Sequence, residues 1–189
     1  MKFLILLLSI VCVSIAQGQI ATISGQIENF KDDTIKLVLQ LNNITRRSEI
    51  HAIPVNNGRF SDAMQLTKPT YFYLTDGSNY INGLIEPGDR VAILYDAANI
   101  KTSLKAKGNG SEKTDFVNSL LQLKLYRRLV EQVPVARTNK YPFDYLFNYC
   151  DSIGNTLFRK LDSIKPFMKT ESYDLLRTDV KATVMGNRY

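Results

Sequence analysis

Apolar and polar residues alternate with a period of two over most of the segment from Ile20 to Lys107. This is the pattern of half-buried β-strands, and clusters of Gly, Pro, Asn and Asp interrupt it at short intervals, as turns do. Short strands at this spacing predict an antiparallel β-sandwich-like domain over residues 19–107. The predicted strands are Ala21–Glu28, Ile35–Leu41, Glu49–Val55, Arg59–Met64, Thr70–Leu74, Tyr80–Ile85, Arg90–Tyr95 and Ser103–Lys107.

The period becomes helical after Gly108-Asn109-Gly110, which we interpret as a flexible junction. Ser111 is a good first cap for a helix. Apolar residues between Leu146 and Ile164 recur every three or four positions, and Lys165-Pro166 should end that helix. A third helix is expected from about Ser172 to Val184. The sequence therefore predicts an α+β chain with an α-helical segment of about three helices over residues 108–189.

The first 18 residues have the features of a secretory signal peptide. Lys2 precedes an apolar run that is too short to cross a bilayer, and Ser14-Ile15-Ala16 offers a cleavage site. We therefore expect an exported, periplasmic or cell-envelope protein with no transmembrane segment after cleavage. Cleavage would also remove Cys12 and leave Cys150 as the one thiol of the mature chain, so no intramolecular disulfide is expected.

Charge is unevenly distributed along the chain. Residues 20–100 hold 7 Lys and Arg against 9 Asp and Glu, whereas residues 101–189 hold 16 against 9. The basic residues are scattered as single residues and pairs and form no dense block, so we interpret them as a solvated surface and expect no nucleic-acid binding.

The sequence Glu86-Pro87-Gly88-Asp89 raises the question of an acidic site. Pro presets the first central position of a type II turn and Gly supplies the positive φ that the second requires. Two carboxylates beside a turn tip do not flank a substrate cleft, as an acid–base pair must. We therefore interpret Pro87, Gly88 and Asp89 as a structural turn, with Asp89 bonding nearby backbone.

Four segments together resemble a known domain: ATISGQIEN, NNGRFSDAMQLTKPTYFYL, LIEPGDRVAILYD and KGNGSEKTDFVNSL. Their order and spacing are similar to the N-terminal strand-rich domain of unknown function that precedes the thioredoxin-like domain in TlpA-type envelope thiol–disulfide proteins of Gram-negative bacteria. The resemblance covers Ile20 to Tyr189. It implies an envelope module whose partner is another envelope protein or a thioredoxin-like domain.

The resemblance does not carry a catalytic site into this sequence. Thiol–disulfide exchange needs an attacking and a resolving cysteine, and the mature chain would have only Cys150. We expect no enzyme activity, cofactor or metal. Two alternatives stay open: the chain is a fragment of a thiol–disulfide oxidoreductase lacking its thioredoxin domain, or it is an independent carbohydrate- or peptide-binding sandwich.

Individual residues suggest a few further sites. Tyr71, Tyr73 and Tyr80 could form an aromatic platform for a ligand, although aromatic residues are also favoured as sheet packing. His51 with Glu49 is interpreted as a surface cross-strand contact. Cys150 is expected to be a small buried residue on its helix, the alternative being an exposed thiol that forms a mixed disulfide. A helix stripe left uncovered by the sandwich would favour self-association.

Overall fold

The computed structural model describes residues 18–42, 45, 47–122 and 143–186. The predicted signal peptide, apart from Gly18, lies outside the described residues. Within the described ranges, no helix combines the length and the apolar character needed to cross a bilayer.

Two four-stranded sheets form the first half of the described structure. Sheet A has the strand order β4-β1-β7-β8 and sheet B the order β3-β2-β5-β6. All pairs are antiparallel except β1 with β7, which is parallel. The strands are β1 Gln19–Glu28, β2 Thr34–Asn42, β3 Arg47–Pro54, β4 Arg59–Leu66, β5 Thr70–Thr75, β6 Tyr80–Ile85, β7 Arg90–Asp96 and β8 Lys105–Lys107.

Four α-helices and one 3₁₀ turn accompany the sheets in the described residues. They are α1 Ile100–Ser103, α2 Ser111–Gln122, α3 Phe143–Ile164, the 3₁₀ turn Lys165–Phe167 and α4 Thr170–Gly186. The predicted α+β class with a sandwich-like arrangement of sheets is therefore confirmed. Its division into domains at residue 107 stays a prediction.

One local prediction was wrong. The last strand was expected from Ser103, but Ile100–Ser103 forms α1 and the strand begins at Lys105. Asp96 explains the difference, because its backbone N–H donates to the Ser103 hydroxyl at 2.9 Å and so draws the short helix back against the end of β7. The last helix begins at Thr170, close to the expected start near Ser172.

The structure has two apolar cores that share sheet B. The first lies between the two sheets and includes Ile23, Leu37, Phe72 and Ile93, all at most 1% exposed. The second joins the other face of sheet B, which we call the outer face, to α2, α3 and α4. It contains Leu84, Phe116, Val117, Cys150, Leu157, Leu161, Tyr173, Leu176, Val180 and Val184. The apolar residues that the structure describes on the stripes of α3 and α4 thus lie in this core or pack against it. Self-association stays a prediction.

Gly25 lies at the centre of sheet A, where only glycine fits. It pairs with Phe60 on β4 and with Ile93 on β7. A Cβ atom at this position would lie 2.0 Å from the Ile93 carbonyl oxygen and 2.6 Å from the Phe60 ring. Gly25, in the ATISGQIEN segment, therefore allows the Phe60 ring to pack directly against the strand backbone.

Helix α2 covers the free edge of sheet B through one side chain. The Asn118 amide accepts a hydrogen bond from the Asn82 N–H at 3.1 Å and donates one to the Asn82 carbonyl at 2.5 Å. A second donation reaches the Thr114 carbonyl at 2.9 Å. Asn118 therefore pairs with β6 much as a neighbouring strand would, and removes two exposed backbone groups from the edge.

We expect Asn118→Ala to lower the free energy of unfolding by about 2 kcal/mol, because it leaves backbone groups of β6 without partners in a partly buried place. Urea unfolding followed by circular dichroism measures this. The control is Asn155→Ala on the exposed side of α3, which should change stability by no more than about 0.5 kcal/mol. Equal effects of the two substitutions would contradict the role given to Asn118.

Candidate functional site

The turn between β6 and β7 has the geometry of a type II turn. The Asp89 N–H donates to the Glu86 carbonyl at 3.1 Å, and Gly88 has a φ of +95°. The Asp89 carboxylate in turn accepts the Glu86 N–H at 2.9 Å. Pro87, Gly88 and Asp89 therefore shape the turn locally.

The two acidic side chains of the turn are buried, which sequence reasoning missed. Glu86 is 5% exposed and Asp89 is 2% exposed, and both face Lys113 of α2, which is 0% exposed. The Lys113 Nζ lies 3.1 Å from Glu86 Oε1 and 3.0 Å from Asp89 Oδ2. Its distance to Asp89 Oδ1 is 3.1 Å. We call these three residues, together with Ser172, the buried charge cluster.

Glu86 also holds the beginning of α4. The Ser172 hydroxyl donates to Glu86 Oε2, and the Lys169 N–H donates to both carboxylate oxygens at 3.2 and 3.3 Å. The Lys169 ammonium donates to the Pro87 carbonyl at 2.9 Å. A carboxylate at the N-terminal end of a helix also interacts favourably with the helix dipole. One turn of the sandwich thus fixes two helices.

In the buried charge cluster, the Lys113 ammonium interacts with two carboxyl groups, those of Glu86 and Asp89. Burial raises the pKa of the Asp89 carboxyl, while the Glu86 N–H and the Lys113 ammonium partly oppose that rise.

Gly110 provides the space for this arrangement. Its φ is +93°, and a Cβ atom there would lie 2.4 Å from the Asp89 Cγ. The loop is tied down by the Arg90 N–H, which donates to the Asn109 carbonyl at 2.9 Å. Gly108-Asn109-Gly110 was interpreted as a flexible junction. The structure instead shows close approach to the Asp89 carboxyl as the reason for glycine at position 110.

The three tyrosines of the predicted platform do not act together. Tyr73 and Tyr80 lie on the outer face of sheet B with ring centroids 6.0 Å apart and planes tilted by 50°. Tyr71 packs against the second core and its hydroxyl donates to Asp179 of α4. Burial, reinforced by Asp179, raises the pKa of the Tyr71 hydroxyl. Tyr71 is therefore engaged by the helix, and the candidate platform consists of Tyr73 and Tyr80.

These two tyrosines line an open groove of ≈ 400 Å³. Ile50 and Tyr80 on its walls are 64% and 63% exposed. Asp76 fixes one end, since its carboxylate accepts bonds from the Ser78 and Asn79 N–H groups of the turn that leads into β6. Lys36, Val38, Thr34, Thr75 and Gly77 complete the lining. The groove combines aromatic, aliphatic and polar groups on a rigid sheet.

His51 joins the edge strands of the two sheets. Its Nδ1 lies 2.5 Å from Asp62 Oδ2 on β4 and its Nε2 lies 2.9 Å from Glu49 Oε1 on β3. Burial by itself would lower the pKa of the imidazole, but hydrogen bonds and negative charge from Glu49 and Asp62 outweigh it and raise the pKa above 6.5. Sequence reasoning identified Glu49 and missed Asp62, which lies in the other sheet.

Cys150 lies inside the second core and is 1% exposed. A mixed disulfide requires that a partner thiolate reach the sulfur, and the burial of Cys150 in the second core blocks that approach in this conformation. Among the described residues, no group of three or more His, Cys, Asp or Glu side chains is arranged to hold a metal ion.

Comparisons with known proteins add little. No protein-family model matches the chain, and no match is found among curated proteins. Among solved structures, the chain is similar to a Bacteroides ovatus protein proposed to act in cell adhesion, with 10% identity and a TM-score of 0.31. The alignment covers 49% of this chain and 43% of that one. A likeness at this level carries no argument about function.

His51 should make stability depend on pH near neutrality. Because its folded-state pKa is raised, its contribution is fully present below the unfolded pKa of about 6.5 and is lost as pH rises through the folded value. We therefore expect the urea midpoint to be lower at about pH 9 than at about pH 5.5, by an amount worth less than about 1 kcal/mol for a partly exposed pair.

The chain has one histidine, which makes the control direct. His51→Gln should remove most of this pH dependence, while Gln26→Ala on the exposed part of β1 should leave it unchanged. A pH dependence that persists in His51→Gln would show that another group is responsible.

Proposed function

We propose that the chain is a non-catalytic module exported to the cell envelope, similar to the N-terminal part of TlpA-type thiol–disulfide proteins, which binds or positions a partner protein or a ligand. The sequence supports this through its signal-like beginning and through the four segments that resemble such modules. Cys150 offers no accessible thiol in this conformation, so exchange chemistry would belong to a partner.

The observation that carries the proposal is the attachment of α2 and α4 to the turn of the sandwich. Lys113 reaches both carboxylates of that turn, and Ser172 and Lys169 bind Glu86 from the start of α4. Removing one partner of a buried ion pair costs about 3–5 kcal/mol, so these contacts should contribute strongly to holding the two helices against the turn. A protein that positions a partner needs such a rigid connection between its binding surface and its helices.

The groove beside Tyr73 and Tyr80 favours a second candidate function, the binding of a carbohydrate or a peptide. Exposed aromatic rings on a sheet provide large contact areas at low entropic cost. Polar groups along the walls, such as Lys36 and Thr75, could orient a ligand. Both candidate functions are non-catalytic, and the second specifies a carbohydrate or a peptide as the ligand.

The alternative of an oxidoreductase fragment is tested by the native protein itself. N-terminal sequencing and intact mass of the native protein from an envelope fraction would show whether it begins near Gln17 or Gln19 and whether the chain continues past Tyr189. A chain that ends at Tyr189 should be free of disulfide reductase activity. A heavier species that carries a reducible Cys-x-x-Cys pair would replace the proposed function by the oxidoreductase alternative.

The groove is tested by paired substitutions. If it binds carbohydrate or peptide, Tyr73→Ala combined with Tyr80→Ala should lower binding in glycan and peptide arrays at least tenfold, or about 1.4 kcal/mol. Phe167→Ala is the matched control, because Phe167 is also aromatic and 56% exposed but lies outside the groove. Binding that survives the double substitution, or that falls equally in the control, would exclude the groove.

A further inference from the structure

The buried charge cluster has a composition that a simple ion pair does not require. The primary amine of Lys113 lies within hydrogen-bond distance of two carboxyl groups, those of Glu86 and Asp89, and burial raises the pKa of the Asp89 carboxyl. All three side chains are nearly or completely shielded from solvent. Amide formation needs an amine in contact with a carboxyl group, a neighbouring group that can carry protons and the exclusion of water, and the cluster brings these together.

We propose that Lys113 and Asp89 condense within the folded chain to form an intramolecular amide bond, with Glu86 carrying the proton. The Lys113 Nζ is almost equally distant from the two Asp89 oxygens, at 3.0 and 3.1 Å. The geometry of a carboxyl group then places Cγ within roughly 3.5 Å of the nitrogen, which is the distance of a near-attack arrangement.

The reaction balances without any added reagent. The Lys113 ammonium first gives a proton to the Glu86 carboxylate, 3.1 Å away. The neutral amine attacks Cγ of the protonated Asp89 carboxyl, forming the C–N bond. The C–OH bond of the resulting tetrahedral centre breaks as Glu86 delivers its proton to the leaving oxygen and takes the remaining proton from nitrogen. One amide and one water are formed, and Glu86 ends protonated, as it was after the first step.

Neighbouring groups favour this assignment of roles. The Glu86 N–H already polarises the Asp89 carboxyl at 2.9 Å, as an oxyanion donor would. The Ser172 hydroxyl and the Lys169 N–H orient the Glu86 carboxylate. The product replaces a buried cation and a buried acid by a neutral amide, which removes the cost of keeping ionised groups in a dry core.

The bond would tie the β6–β7 turn covalently to α2. The amide bond would therefore strengthen the contact that the buried ion pairs already make between the turn and α2. The proposal does not depend on which partner the protein binds. Folding must precede the reaction, because the three groups come together only when α2 packs against sheet B.

Mass spectrometry of the full folded chain tests the proposal. After the N-terminus has been determined, the denatured protein should be lighter than its sequence by one water molecule. A tryptic digest should contain one branched peptide that joins Lys113 to Asp89, with no cleavage after Lys113. A wild-type protein of full mass that trypsin cleaves after Lys113 would overturn the proposal, whatever the variants do.

Two variants and a control separate the roles. Lys113→Met should have its full expected mass because it lacks the nucleophile. Glu86→Gln should keep the amine and the acid but lose the bond, since glutamine cannot carry the proton. Lys101→Met, at an exposed position in α1, should still lose one water. A water loss retained in Lys113→Met would place the reaction at another residue, and one retained in Glu86→Gln would remove Glu86 from the mechanism.

Discussion

The contact between Lys113 and the two carboxylates of the β6–β7 turn is the interaction on which the arrangement of sheets and helices depends. It joins the turn, α2 and α4 in a place that excludes water. Burying an ammonium group is costly unless its charge and its hydrogen bonds are satisfied, and here Glu86 and Asp89 satisfy both. Positive φ at Gly88 and Gly110 makes the geometry possible, because a side chain at Gly110 would collide with the Asp89 carboxyl.

Sheet B depends on the contact between Lys113 and the turn because the sheet contributes apolar residues to both cores. The strand β6 directs Ile81 and Ile85 into the space between the sheets and Leu84 into the core beneath the helices. A strand with apolar groups on both faces is stable only when both faces are covered. The helices must therefore be held in place, and the buried charge cluster at the end of β6 holds them. Asn118 acts along the same strand by satisfying its free edge.

Patterns among neighbouring residues predict the positions of the strands. All eight strands begin within two residues of their predicted starts, since alternation and turn residues are properties of neighbouring residues. The partners of Glu86 could not be predicted in this way, because Ser172 lies 86 residues further along the chain. One signal was present in the sequence: Lys113 lies three residues before Phe116, on the apolar face of α2. A lysine at such a position indicates a buried acidic partner, although it does not say which one.

Strand β5 connects the groove to the helices through two residues on the same face. Tyr71 is held by Asp179 of α4, and Tyr73, two residues further along, lines the groove beside Tyr80. Since a strand rises only about 3.3 Å per residue, these positions are roughly 7 Å apart along one rigid element. A ligand on Tyr73 and a partner attached through α4 would therefore keep a fixed separation. The two roles proposed for the chain, positioning and binding, would then both use this strand.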